Sequence, residues 1–308
     1  MEIKDDMSAD MMRMLVEGST NDVKIVLYDG EIRANRDILA FRCEYFAATF
    51  RWMKSNDQDG AGDIRIQDCS KKVMERVVEY LISGVMRLKD LGFFHLLELV
   101  HQIRKLMLKD GLRQKIEKYI RDVFICVATW KKKDRWRGSC QDLVLGINYA
   151  ERHNLDEIKR NITDEIGANF YVFVTLDDIG GREAFASLTQ LNIGSLKEIF
   201  LICKEIIDTE RRYSVMRDLN NMLFVCFRVW YGKNKLVCGK EEKAEMLEML
   251  DLNLFGLSTL IKKVKSSGMF PEEEVNKRID YLAKHFDKIT YKANKTSAMI
   301  LEEMNVQI

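Results

Sequence analysis

Apolar residues recur along this chain with two periods, short in the first third and helical everywhere else. Val23-Lys24-Ile25-Val26-Leu27-Tyr28 reads as a strand, Asp29-Gly30 as a hairpin turn, and Glu31-Ile32-Arg33-Ala34 as the returning strand. Asp63-Ile64-Arg65-Ile66 alternates as a half-buried strand does. Helical stripes surround these strands. Between Ser8 and Glu17, Met11, Met12, Leu15 and Val16 share one face. Asp37 to Trp52 is predicted as one helix with Ile38, Leu39, Phe46 and Phe50 in the core. Ser70 is placed to cap a helix carrying Val73, Val77, Val78 and Leu81, and Gly84 to stop it. Leu91–Leu108 is strongly amphipathic through Leu96, Leu97, Val100, Ile103 and Met107. Gly111 is expected to separate it from a third helix through Ile116, Tyr119, Ile120 and Val123.

Strand signals stop near residue 126. Helices are predicted at Cys140–Arg152, Leu155–Ile166, Asn169–Val174, Ile193–Ile207, Tyr213–Trp230, Lys240–Leu250 and Ser258–Val264. A last one starts at Pro271. His153-Asn154, Asp177–Gly181 and Ser267-Gly268 supply breaks. Met222–Phe227 is a short apolar run suited to a buried helix, and no stretch approaches the ~18 consecutive apolar residues of a membrane span. The repeated helix–turn spacing suggests an α-helical array.

Composition narrows the class. Of 308 residues 47% are hydrophobic, too many for a disordered chain, and a single proline favours helix. The 49 Lys and Arg nearly balance the 48 Asp and Glu, so the chain lacks the basic excess of a nucleic-acid binder. The acidic start at Met1–Asp6 is not a secretory signal. Seven cysteines, an odd number without a C-x-x-C pair, suit free thiols in a reducing compartment, the cytoplasm or also the nucleus.

Several stretches, in order, resemble the BTB/POZ domain. Asn21–Val26 resembles its opening strand. Arg33-Ala34-Asn35-Arg36-Asp37-Ile38-Leu39-Ala40 resembles its Ala-His-[Lys/Arg]-x-x-Leu-Ala signature, with Asn35 in place of the histidine. Arg42–Phe50 resembles its Tyr-Phe helix, and Ile64 to Gly84 its later strand and helix. The region after residue 138 resembles a BACK domain, through Cys140–Leu155, Leu188–Leu191, Leu250–Leu254 and Ser267–Phe270. The expected fold is therefore an α+β BTB/POZ domain at 1–125, a basic linker at 126–139, and an all-α BACK-like array at 140–308.

This resemblance implies binding rather than catalysis. It implies a homodimer through Met11, Met12, Leu15, Val16, Val23 and Ile25. It also implies a cullin-3 surface at Phe50, Trp52, Met53, Lys54, Ser55 and Asn56 together with Phe93, Phe94 and His95. The family's hydrophobic-x-Glu element is not intact, because Met53-Lys54-Ser55 or Lys54-Ser55-Asn56 stands there without the acid, Asp57 being the nearest. The implied function is a substrate-recruiting subunit of a cullin-3 ubiquitin ligase, its protein substrate unidentified; the alternative is a BTB scaffold outside any ligase.

Other chemistry finds little footing. Asp57-x-Asp59-x-x-Gly62 with Asp68 imitates a calcium loop, but Ala61 interrupts it and strand 63–66 overlaps it. His95, His101, His153 and His285 have no zinc-ligand spacing. Neither G-x-S-x-G, a P-loop nor G-x-G-x-x-G occurs, so neither an enzyme nor a cofactor is expected. Lys131-Lys132-Lys133, Arg135 and Arg137, interleaved with Trp130 and Trp136, form the one basic aromatic cluster, read as a solvated interdomain segment.

Overall fold

Val23, Ile25 and Leu27 are buried on one face of strand β2 (Val23–Leu27), while Lys24 and Val26 are half-buried. That period of two fixes the register of a small sheet. The computed structural model describes residues 2–4, 23–55, 63–126, 140–175 and 186–284. In it β2 pairs antiparallel with β3 (Gly30–Ala34) and parallel with β4 (Ile64–Ile66), in the order β3-β2-β4. Leu27 lies opposite Gly30, so Tyr28 and Asp29 form the turn, one residue earlier than the sequence suggests. A second sheet joins β1 (Glu2–Lys4) to β5 (Val85–Arg87). Each of these strands buries one residue, Ile3 or Met86, where β4 buries two, and neither is predicted from the sequence.

The helix expected over Asp37–Trp52 is two helices, α1 (Arg36–Arg42) and α2 (Glu44–Ser55). Cys43 between them is extended, at φ −145° and ψ 114°. Its thiol is buried and donates to the Leu106 carbonyl at 3.3 Å. Ile38, Leu39, Phe46 and Phe50 are buried as expected. Ser70 caps α3 (Lys71–Ser83), its hydroxyl accepting from the Val73 N–H at 3.4 Å. Gly84 ends it in the left-handed region at φ 66°. The Asp29 carboxylate accepts from the Lys71 N–H at 2.7 Å, tying the hairpin turn to the same helix start.

Helix α4 (Phe93–Lys105) buries Leu96, Leu97, Val100 and Ile103. Met107, expected on that face, instead adopts φ 54° and is 77% exposed. The chain leaves the helix before reaching it. Gly111 lies inside the next helix, α5 (Asp110–Ile120), and the true break is the turn around Met107. A π turn at Arg121–Ile125 continues α5 and rotates its face, burying Phe124 and Ile125 while Val123 stays half-buried.

The chain divides into two compact units, Met1–Glu165 and Ile166–Ile308. Within the first, α6 (Cys140–Arg152) packs on α4. The contact is close at Gly146, where a Cβ would lie 2.6 Å from Phe93 Cε1 and 3.3 Å from Ile162 Cδ1. Ile162 belongs to α7 (Asp156–Ala168), which starts after the left-handed Asn154.

The described part of the second unit is helical: α8 (Phe170–Thr175), α9 (Ile193–Thr209), α10 (Tyr213–Asn234), α11 (Lys240–Glu248) and α12 (272–284). Its core sets Phe170 edge-on to Phe200, Phe200 edge-on to Phe227, and Phe227 stacked on Trp230, whose Nε1 donates to the Leu191 carbonyl at 2.9 Å. Buried Asn220 exchanges two hydrogen bonds with the Asp251 backbone, at 3.0 and 2.9 Å. Leu223, Phe224, Cys226 and Phe227 are all buried, as their apolar run suggests. No described helix is long and apolar enough to cross a membrane.

Candidate protein-interaction surface

Helix α2 ends where the sequence places a partner surface, and its side chains divide sharply. Phe50 is buried, with the Arg36 guanidinium 4.8 Å from its ring centre. Trp52 is 59% exposed. Met53 is half-buried, and Lys54 and Ser55 are exposed. Asn56 lies outside the described residues. At the start of α4, Phe93 is buried 5.4 Å from Phe124, while Phe94 stands edge-on to Phe93 and is 37% exposed. His95 is half-buried. Phe50 and Phe93 are thus committed to the domain's own core, leaving Trp52 and Phe94, of the aromatic side chains expected at this surface, open to a partner.

The residues expected at a dimer interface divide similarly. Val23 and Ile25 are buried within β2, facing the domain's own core. Met11, Met12, Leu15 and Val16 lie outside the described residues, as do the loop at 57–62 and the basic cluster at 131–137.

Trp52 does not stand alone. With Glu44, Tyr45, Ala48, Thr49 and Met107 it lines an open cleft of about 390 Å³. The α2 side of the cleft follows helical spacing, because residues 45, 48, 49 and 52 share one face. Met107 reaches it because the left-handed turn after α4 swings the side chain outward. Two of its polar side chains are already engaged: Thr49 Oγ1 donates to the Tyr45 carbonyl at 2.8 Å, and Glu44 pairs with Arg51. What faces solvent is ring, methyl and thioether surface, the kind that anchors protein partners. The sequence reading misses Tyr45 and Met107. Tyr45 hides in a helix read only for its core stripe, and Met107 fits the core period of α4 so well that its exposure has no local signal.

A larger groove, about 870 Å³, lies in the second unit and is floored by Leu247, Leu250, Met269 and Phe270. Lys204, Lys240 and Lys243 along it face Asp208, Glu248, Asp251 and Glu274, so neither sign of charge dominates. None of the seven cysteines forms a disulfide, and burial pushes the thiols of Cys69, Cys203 and Cys226 far up, which leaves them without nucleophilic character at neutral pH. Among the described residues no group of His, Cys, Asp and Glu is arranged to hold a metal ion.

No curated protein matches this chain. The BTB/POZ domain family model matches residues 11–122, which span the three-stranded sheet, the α2 face and the Met107 turn. BTB domains mediate self-association and binding to other proteins, which supports a protein-interaction adaptor role. The chain therefore carries a BTB/POZ domain at residues 11–122.

Proposed function

We propose that this chain is the substrate-recruiting subunit of a cullin-3 ubiquitin ligase, acting as a homodimer. The BTB/POZ domain docks the cullin, and a BACK-like helical region beyond residue 140 holds a protein substrate. The reading places it in the cytoplasm, and also in the nucleus. The observation that carries it is the open apolar cleft on α2, where Trp52 and Met107 stand exposed beside Tyr45. An exposed indole over an apolar cleft is the anchor type that dominates interface energetics. The chain performs no bond chemistry in this role: it raises the effective concentration of a substrate near a ubiquitin-charged partner.

Titration of the purified chain with the amino-terminal domain of cullin-3 tests this. A complex should form, and Trp52→Glu or Met107→Glu should weaken it by about thirty-fold, the loss expected of a hot-spot side chain. Both side chains are largely solvated, so neither change should unfold the domain. No complex with the unaltered chain, or unchanged affinity in both variants, overturns the reading.

A second reading, a BTB scaffold outside any ligase, is favoured by the end of α2. The family's acid is missing near Ser55, which is exposed. A chain that is dimeric by light scattering and indifferent to cullin-3 selects it.

A further inference from the structure

Two histidines far apart in sequence meet where α6 ends against α4. The rings of His101 and His153 lie 4.4 Å apart, tilted by 56°. Tyr149, one turn before His153, places its ring 4.2 Å away on the same imidazole. On the far side of His101, its Nε2 is 3.1 Å from Asp68 Oδ2, while Lys105 Nζ holds Asp68 Oδ1 at 2.5 Å. The neighbouring backbone closes the junction: Arg104 donates to the Asn154 carbonyl at 2.5 Å, and Gln102 to the Asp68 carbonyl at 2.9 Å.

The charges around His153 are mostly positive. Its own helix contributes Arg152; α4 contributes His101, Arg104 and Lys105; the turn after β4 contributes Asp68. Glu98 of α4 faces Tyr149 but is engaged by the Ser70 N–H and hydroxyl. Burial would push the Asp68 carboxyl up, but hydrogen bonds from Lys105 and His101 outweigh it and hold the group at about 2. Asp68 is thus ionised at any physiological pH, and its charge is already shared. Burial, then His101 and Arg152, pull His153 below the usual imidazole range.

We infer that this junction is an acid-released latch, in which a proton on His153 loosens the end of α6 from α4. The sign follows from linkage. The closed form favours the neutral ring, and the opened form takes a proton at the ordinary histidine value near 6.5. The latch is closed above that value and weakens as the pH falls below it. Loosening frees the face on which Gly146 meets Phe93.

Hydrogen–deuterium exchange on the full chain at pH 7.5 and 5.5, corrected for the intrinsic chemical rate, tests this. Amides in 140–155 should open about three- to ten-fold more at pH 5.5, because a proton taken up near 6.5 by the opened form alone favours that form by up to about tenfold there. Amides of α3 serve as the internal reference. His153→Phe keeps a ring in place without a titrating nitrogen and should abolish the rise; if it fails to fold, His153→Gln takes its place. A flat response in the unaltered chain overturns the latch, and so does an undiminished rise in the folded variant.

Discussion

Gly146 and Gly111 show how one residue type does opposite work at two places in the same unit. A Cβ on Gly146 would sit 2.6 and 2.8 Å from the Phe93 ring. That ring cannot retreat freely, because Phe124 backs it at 5.4 Å. A Cβ on Gly111 meets nothing within 4 Å. Alanine gains up to ~1 kcal/mol of helix propensity over glycine, whereas overpacking a tight contact costs about 1–3 kcal/mol. Packing therefore wins at 146 and propensity at 111. Urea denaturation should show Gly146→Ala destabilised by about 1–2 kcal/mol and Gly111→Ala stabilised by about 0.5 kcal/mol. Combining Gly146→Ala with Phe93→Leu should cost less than the two changes summed, since a smaller side chain makes room for the added methyl.

Among the elements, α1 shows how a departure from a family pattern still meets a physical need. Where the BTB/POZ signature has histidine, Asn35 caps α1: its side-chain oxygen accepts from the Ile38 N–H at 2.8 Å, in a buried setting. The first turn of a helix leaves backbone donors unpaired, and a buried one is costly. Asn35→Ala should lower unfolding free energy by roughly 1 kcal/mol, while Asn35→Asp should retain most of it. Chemical denaturation followed by far-UV circular dichroism distinguishes the two. Elements with such local causes are legible in the sequence: the Ser70 cap, the Gly84 stop and the helical stripes of α3, α6, α9 and α10 stand where periodicity and capping put them, the β2–β3 hairpin within one residue, and the α4 stripe up to Ile103. Features with distant causes are not. Cys43 breaks a strong helical pattern where its thiol meets the Leu106 carbonyl, 63 residues away. β1 and β5 each bury one residue, Ile3 and Met86, too few to show an alternation, and exist through each other. The candidate surface divides in the same way. The helical spacing of Trp52 is legible, but its neighbour Met107 depends on a left-handed turn that no nearby glycine or proline announces.

For the whole molecule, the limits of the BTB/POZ match and of the first compact unit differ, and the difference has an energetic content. The match ends at residue 122, whereas the unit runs to Glu165. Helix α6 lies in the interval and buries Leu143, Val144, Ile147 and Ala150. It also supplies Gly146 against Phe93 and closes the polar junction from His153 to Asp68. A chain ending at 125 loses that cover while keeping the α4 face that received it. Burying one large aliphatic side chain contributes about 1.5–3 kcal/mol, so losing the packing of three or four amounts to several kcal/mol, comparable with the whole stability of a small domain. A chain of residues 1–165 should therefore unfold cooperatively and stay dispersed. One of residues 1–125 should melt at least ~10 °C lower and bind a dye specific for exposed apolar surface. Equal melting temperatures for the two would show that α6 is an accessory to the BTB/POZ domain rather than part of its core.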